Sequence, residues 1–316
     1  MPPLSSTASL LVNINDIDDM GPKFSQSLYS IQVREDPPSR GTTGPRRLDF
    51  SPALAAEDQD AVTKSPLRYR ISAGNDLQYF NIDRDTGHIF LVKEVDREAL
   101  DNDKFVLEVT AWQTDNELKS ARAAVEIGVL DINDNKPEFE VERYNMTVIE
   151  NLPAGFRIMQ FTAQDHDLPE NAAFSYKLDD PSGAFDLEQD GSLVLGRPDL
   201  FDREKKDRIV VRVLAVEHAP SVLPDKTPAG VDVEIHLLDY NDNSPAFLPD
   251  NVYVFKVPAS AKVGHTLGQV KATDLDLGPN AEIVYSIKNR TLPLPVSLDP
   301  VTGEILLTKL YNKQSK

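Results

Sequence analysis

Three acidic segments of the chain line up without gaps: DIDDMGPKF from Asp16, DINDNKPEF from Asp131 and DYNDNSPAF from Asp239, their starts 115 and 108 residues apart. Aspartate and asparagine offer hard oxygen donors, and calcium takes about six to eight such oxygens at about 2.3–2.6 Å. Carboxylates crowded together without a cation repel one another. A single copy reads as a solvated acidic turn, whereas three copies in register read as a repeated cation site. An EF-hand is excluded, because Lys136 stands at the sixth position where glycine is needed, Pro137 follows, and strand patterns flank the segment.

Each segment is positioned by the strand before it. Leu10, Val12 and Ile14 alternate, as do Ala123, Val125, Ile127 and Val129, and Val231, Val233, Ile235 and Leu237. Alternation at period two marks a half-buried strand. The first aspartate follows the last of these residues by two positions, so it stands where the strand leaves the sheet. Proline six residues on cannot join a central ladder and marks the passage to the next domain. The aromatic beyond it (Phe24, Phe139, Phe247) is expected to tuck back and begin a new core.

Further landmarks recur in order. Glu35 and Glu150 each follow a tyrosine by six residues, and Ala259 takes that place in the third copy. Ala-x-Asp-x-Asp occurs at Ala56–Asp60, Ala163–Asp167 and Ala272–Asp276, and Asp-Arg-Glu at Asp96–Glu98 and Asp202–Glu204. Thr86-Gly87 is echoed by Thr302-Gly303, and Phe105, Leu107, Val109 and Ala111 correspond to Ile209, Val211, Val213 and Ala215. Units of roughly a hundred residues, with short strands and no long helical periodicity, predict an all-β chain of antiparallel seven-stranded sandwiches.

This ordered set resembles the repeats of the cadherin superfamily over essentially the whole chain. The resemblance implies tandem Greek-key β-sandwiches joined by calcium-binding linkers: 1–21, the last strand of a preceding repeat plus linker; 22–135 and 136–243, full repeats; and 244–316, a partial repeat. It implies Ca2+ shared between the base of one repeat, the linker and the top of the next. The first full junction would use Glu35, Asp96, Glu98, Asp131, Asn133, Asp134, the Asn135 carbonyl, Asp165, Asp167 and the Asn171 carbonyl, with Glu217 where the family usually has aspartate. The second would use Glu150, Asp202, Glu204, Asp239, Asn241, Asp242, Asn243, Asp274, Asp276 and the Asn280 carbonyl. The set at Asp16, Asp18, Asp19, Asp58 and Asp60 is poorer, since Met20 replaces asparagine and Gln113 replaces the late-strand aspartate. In the third copy, Ala259 and Asn312-Lys313-Gln314 remove base carboxylates, which predicts a flexible junction after it.

Composition narrows the function classes. The 316 residues carry 33 Lys plus Arg against 51 Asp plus Glu, a net charge of −18 that disfavours nucleic acid and anionic lipid as partners. Cysteine is absent, which removes disulfides, thiol nucleophiles and zinc–thiolate sites. The start Met1-Pro2-Pro3-Leu4-Ser5 has no signal-peptide character, so the chain is either cytosolic or a piece of a longer protein. The five histidines (His88, His166, His218, His236, His265) share no metal or catalytic spacing, and an enzyme with a small-molecule substrate is not expected. Sequons at Asn145 and Asn289 lean toward the secretory route.

The resemblance implies a calcium-dependent adhesion ectodomain at the cell surface, homophilic or heterophilic toward other cadherin-type ectodomains, its membrane anchor lying outside this chain. Two alternatives stand beside it: a mechanical spacer, and a receptor segment using the insertion around Arg46-Arg47 for a heterophilic ligand. Trp112 sits on a late strand, unlike the early tryptophan that the family's junctional members exchange, and core or edge packing is its expected role.

Overall fold

The computed structural model describes residues 1–37, 44–60, 62–288 and 294–310. They are almost all strand and turn, and the only helical segments among them are the short 3-10 turns Pro198–Leu200 and Gly278–Ala281. Two compact units are formed: Met1–Glu138 with Ala163–Ser175 and Val216–Ala229, and Phe139–Thr162 with Tyr176–Ala215 and Gly230–Lys316. The division follows packing rather than covalent repeat, because the loops Ala163–Ser175 and Val216–Ala229 fold onto the linker after the first repeat.

In the first unit, strands Leu28–Arg34, Ser120–Leu130, Lys104–Gln113 and Leu67–Ala73 form one sheet in that order, and Arg46–Leu48, Ile89–Leu91 and Phe80–Ile82 form a second. Pro22–Phe24 pairs with Ala56–Asp58. The first and second strands of a seven-stranded sandwich are thus each broken in two. The antiparallel expectation needs one correction: Leu28–Arg34 runs parallel to Ser120–Leu130. After its break the first strand lies beside the last strand of the same repeat, and the rest of the repeat supplies the long connection that a parallel pair requires.

The alternating residues form the core between these sheets. Ala123, Val125, Ile127 and Val129 are buried together with Leu107, Val109, Ala111, Phe80 and Ile89. Burying one such aliphatic or aromatic side chain contributes about 1.5–3 kcal/mol. The second unit repeats the plan, with Ile209, Val211, Val213, Val231, Val233, Ile235 and Leu237 around Phe161 and Phe185. Trp112 is buried against the guanidiniums of Arg70 and Arg84, 5.1 and 5.7 Å from its ring centre. Arg46 and Arg47 lie in a paired strand, with Arg46 3.8 Å from Asp36 and Arg47 2.8 Å from Asp49.

Two expectations fail. Leu10, Val12 and Ile14 are 87%, 68% and 92% exposed and form no strand. Alternation makes a strand only when a neighbour completes its ladder, and no described strand pairs with them. Phe247 is also exposed, unlike Phe24, and stands with Tyr253 and Tyr285 at an apolar cavity of about 220 Å³. Asn289 and Asn312-Lys313-Gln314 lie outside the described residues.

One turn has a checkable backbone requirement. Asp190 accepts the Ser192 backbone N–H at 2.9 Å, and Gly191 between them has φ +82°. A Cβ there would stand 2.6 Å from the Phe161 carbonyl oxygen. Gly191→Ala is expected to cost about 1–3 kcal/mol from the backbone conformation alone, read as a lowered denaturation midpoint.

Candidate functional site

The strands deliver the acidic residues to their ends, where the turns converge. In the first unit two groups of carboxylates form, each with oxygens within 4.8 Å of one another: Glu35, Glu98 and Asp131, and Glu98, Asp134 and Asp167. Glu98 belongs to both. Asp165 stands beside them, its Oδ1 accepting the Asp167 backbone N–H at 3.1 Å. Asp96 contributes charge felt at Asp134 but joins neither group.

Asparagines frame this site. Asn133 donates its amide to the carbonyl oxygens of Asn171 (3.2 Å) and Ala219 (3.4 Å), while Asn171 donates to Asp131 at 2.7 Å. Asn135 donates to Asp134 and Asp167, at 3.1 and 2.8 Å. Three buried oxygens are left without a hydrogen-bond partner: Asn133 Oδ1, Asp165 Oδ2 and Glu217 Oε1.

The second unit builds the same arrangement from the next copy. Glu150, Glu204 and Asp242 form one group and Glu204, Asp239 and Asp276 the other, with Glu204 in the shared role. Asn241 donates to the Asn280 carbonyl at 3.4 Å, Asn280 to Asp239 at 2.8 Å, and Asn243 to Asp242 and Asp276, both at 2.8 Å. Asp276 Oδ2 is buried without a partner. Asp202 is turned toward Lys205, 2.7 Å away, and Asp274 accepts the Asp276 backbone N–H at 3.1 Å; neither joins a group. Near the N-terminus, Asp18, Asp58 and Asp60 form a fifth group. Asp16 instead accepts the Val62 and Thr63 backbone N–H groups at 2.7 and 2.9 Å, and Asp19 is in no group.

Burial and local donors set the charge state of these groups. Burial pushes Glu35 up to about 7 although the Arg97 and Ile132 N–H groups oppose the rise. Burial, reinforced by neighbouring carboxylates, pushes Asp134 and Asp167 up to about 6. Burial also raises Asp165, Glu98 and Glu204. In the N-terminal group burial likewise raises Asp60, whereas Asp18 is held well below the usual carboxylate range by Lys119, Ser65 and Gln113. Carboxylates raised together, beside buried oxygens lacking donors, fit a hard divalent cation, and the donor set contains oxygen alone.

A pH dependence follows for protein held in chelator. Folded Glu35, Asp134 and Asp167 take up protons as pH falls through about 7 to 6, whereas unfolded carboxyls do so near about 4. Their contribution is therefore full below about 4 and lost as pH rises through their folded values. The melting temperature in chelator should rise as pH is lowered from about 8 to 5. A flat or opposite profile in scanning fluorimetry counts against these raised carboxyls.

The motif's arginine was not among the expected site residues. Arg97 is 8% exposed and pairs with Glu98 and Asp131 while donating to the His166 carbonyl at 2.8 Å. Arg203 repeats this with Glu204, Asp239 and the Leu275 carbonyl at 2.9 Å. The available signal was its constant place between the two acids of each Asp-Arg-Glu.

Tandem β-sandwiches with carboxylate clusters at the ends of their strands define a class of modular repeat protein. The family model described as Cadherin domain matches residues 29–130 and 144–236, and the chain belongs to the cadherin family. Cadherin-89D of Drosophila melanogaster is 40% identical over 317 residues, covering 96% of this chain, and Protocadherin Fat 4 of Mus musculus is 33% identical over 318 residues, covering 100%. This chain spans 14% and 6% of those relatives. The structure of mouse cadherin-23 EC22-24 superposes with a TM-score of 0.76 at 26% identity, covering 94% of this chain and 91% of that one.

Proposed function

We propose that this chain is a segment of a calcium-dependent adhesion ectodomain, in which Ca2+ fixes the junctions following the repeats 22–135 and 136–243. The supporting observation is the twofold recurrence of one plan: paired carboxylate groups sharing Glu98 or Glu204, framed by asparagines and holding buried oxygens without donors. Glu35, Asp96, Glu98, Asp131, Asn133, Asp134, Asp165, Asp167 and Glu217 would hold the ions of the first junction, and Glu150, Asp202, Glu204, Asp239, Asn241, Asp242, Asp274 and Asp276 those of the second. Bound calcium would replace mutual repulsion by attraction to a common cation and favour the ordered junction by mass action.

The extracellular side of a membrane-anchored protein is the compartment this function needs, and relatives include a Cadherin EGF LAG seven-pass G-type receptor 1 of Mus musculus. No helix among the described residues is long and apolar enough to cross a membrane. Asn145 is exposed on its strand and accessible to a glycan. Other cadherin-type ectodomains are the expected partners, and no catalysis is assigned. Calcium titration by calorimetry with small-angle scattering tests the proposal: saturable binding should come with a larger, better defined particle dimension. Glu98→Gln, which removes a member of both groups, should lower the number of bound ions more than Asp96→Asn. Unchanged scattering and no heat of binding overturn the proposal.

A further inference from the structure

The N-terminal acidic cluster differs from the other two in what surrounds it. Lys119 reaches Asp18 twice, through an ion pair with Oδ1 and a hydrogen bond to the backbone carbonyl at 2.8 Å. Gln113, fully buried, donates its amide to Asp18 Oδ1 at 3.1 Å, Asp58 Oδ2 at 2.8 Å and the Met20 carbonyl at 3.2 Å. Ser65 donates its hydroxyl to Asp18 Oδ2 at 2.7 Å and its backbone N–H to Asp58 at 2.9 Å. Asp60 accepts the Met20 backbone N–H at 3.2 Å. The acidic oxygens that would face a metal ion already face nitrogen and hydroxyl donors, one of them positively charged.

The next repeat provides an internal control. Glu217 takes the place of Gln113 in the late strand, and Thr227 the place of Lys119 ahead of the final strand. A carboxylate thus replaces an amide and a neutral side chain replaces an ammonium. Among the described residues no lysine or arginine forms an ion pair with Asp134, Asp165 or Asp167, although Arg97 pairs with Glu98 and Asp131 of the same site; each cluster also holds a buried oxygen without a partner, Gln113 Oε1 in the first and Glu217 Oε1 in the second. Three aligned positions therefore differ together: Asp18, Gln113 and Lys119 at the first cluster stand where Asn133, Glu217 and Thr227 stand at the next.

We propose that the N-terminal linker is fastened to the first repeat by a cation belonging to the chain, the Lys119 ammonium seated with the Gln113 amide among Asp18 and Asp58, and that this attachment is independent of calcium. The chain would then carry two kinds of fastening, one made of its own residues at Asp16–Met20 and one dependent on a metal at the later linkers. This inference rests on the calcium reading of the later clusters for its contrast, though not for its own contacts.

A double-mutant cycle on the whole chain, Asp18→Asn, Lys119→Met and the pair, tests it by thermal melting in chelator and in excess calcium. Asp18 and Lys119 should be coupled, the double variant losing about 1–3 °C less than the two single losses together. The coupling should be the same in both buffers, and Asp60→Asn should leave the number of bound calcium ions unchanged. Coupling that disappears in calcium, coupling absent in chelator, or a lower ion count in Asp60→Asn overturns the proposal. Failure of the broader reading looks different: calcium would then bind nowhere and Asp134→Asn would change nothing, while the coupling in chelator would persist.

Discussion

Asp134→Ala is expected to stabilise the chelated protein slightly and to destabilise it strongly in calcium, so that the two melting curves cross over between buffers. The crossing follows from the contacts Asp134 makes. Its side chain accepts a hydrogen bond from the Asn135 amide, at 3.1 Å, and its charge is disfavoured by burial and by the charges of Glu98, Asp96 and Asp131. Without a metal, removing it relieves repulsion and leaves few donors stranded. With calcium, it removes one oxygen from the group it forms with Glu98 and Asp167. One ion at a concentration a hundredfold above its dissociation constant stabilises by about 2.7 kcal/mol. For a unit of this size, each kcal/mol corresponds to about 2–4 °C, so the variant should forfeit about 5–10 °C of the calcium-induced rise. Asp242→Ala should act likewise on the second unit. Asp131 would be a poorer probe, because it also pairs with Arg97 and accepts from Leu168 and Asn171. A loss equal in chelator and calcium would show that Asp134 serves packing rather than an ion.

Much of this was legible in the residues because repetition filters out accident. The strands carrying Ala123 to Val129 and Val231 to Leu237 were readable as alternation, and all eight residues are buried. Residues Leu10, Val12 and Ile14 have the same alternation without a ladder to join, since periodicity records a preference and not the presence of a partner. The acids that gather were readable as types, but not which of them share a centre. Glu98 and Glu204 each serve two groups because they lie on a turn between base and linker, a fact of three-dimensional placement. Lys119 was invisible for the same reason: it lies a hundred residues from Asp18, and only the pairing of strands Lys104–Gln113 and Ser120–Leu130 brings their turn to the linker. Glu35 and Glu150 were expected as ligands, and the sequence did not show that they also bind backbone.

That second role makes Glu150→Ala the largest expected loss that does not depend on calcium. Glu150 is 2% exposed, its Oε2 accepting the Arg203 backbone N–H at 2.7 Å and its Oε1 that of Tyr240 at 3.0 Å. Glu35 makes the same clamp with Arg97 and Ile132, both at 2.7 Å. The carboxylate thus holds the Asp-Arg-Glu turn and the start of the linker to one strand end before any ion arrives. Alanine would leave two backbone donors without an acceptor, at about 1–3 kcal/mol for each that stays buried. The expected loss in chelator is therefore about 2–6 kcal/mol, measured by chemical denaturation. Glu150→Gln keeps one carbonyl acceptor and should lose clearly less, although it forfeits a charged ligand just as alanine does. The two variants consequently separate the roles: they should be alike in calcium affinity lost and unlike in stability lost. If alanine and glutamine are equally stable in chelator, the clamp contributes nothing and Glu150 acts through the ion alone. Ala259 occupies the corresponding place in the third repeat.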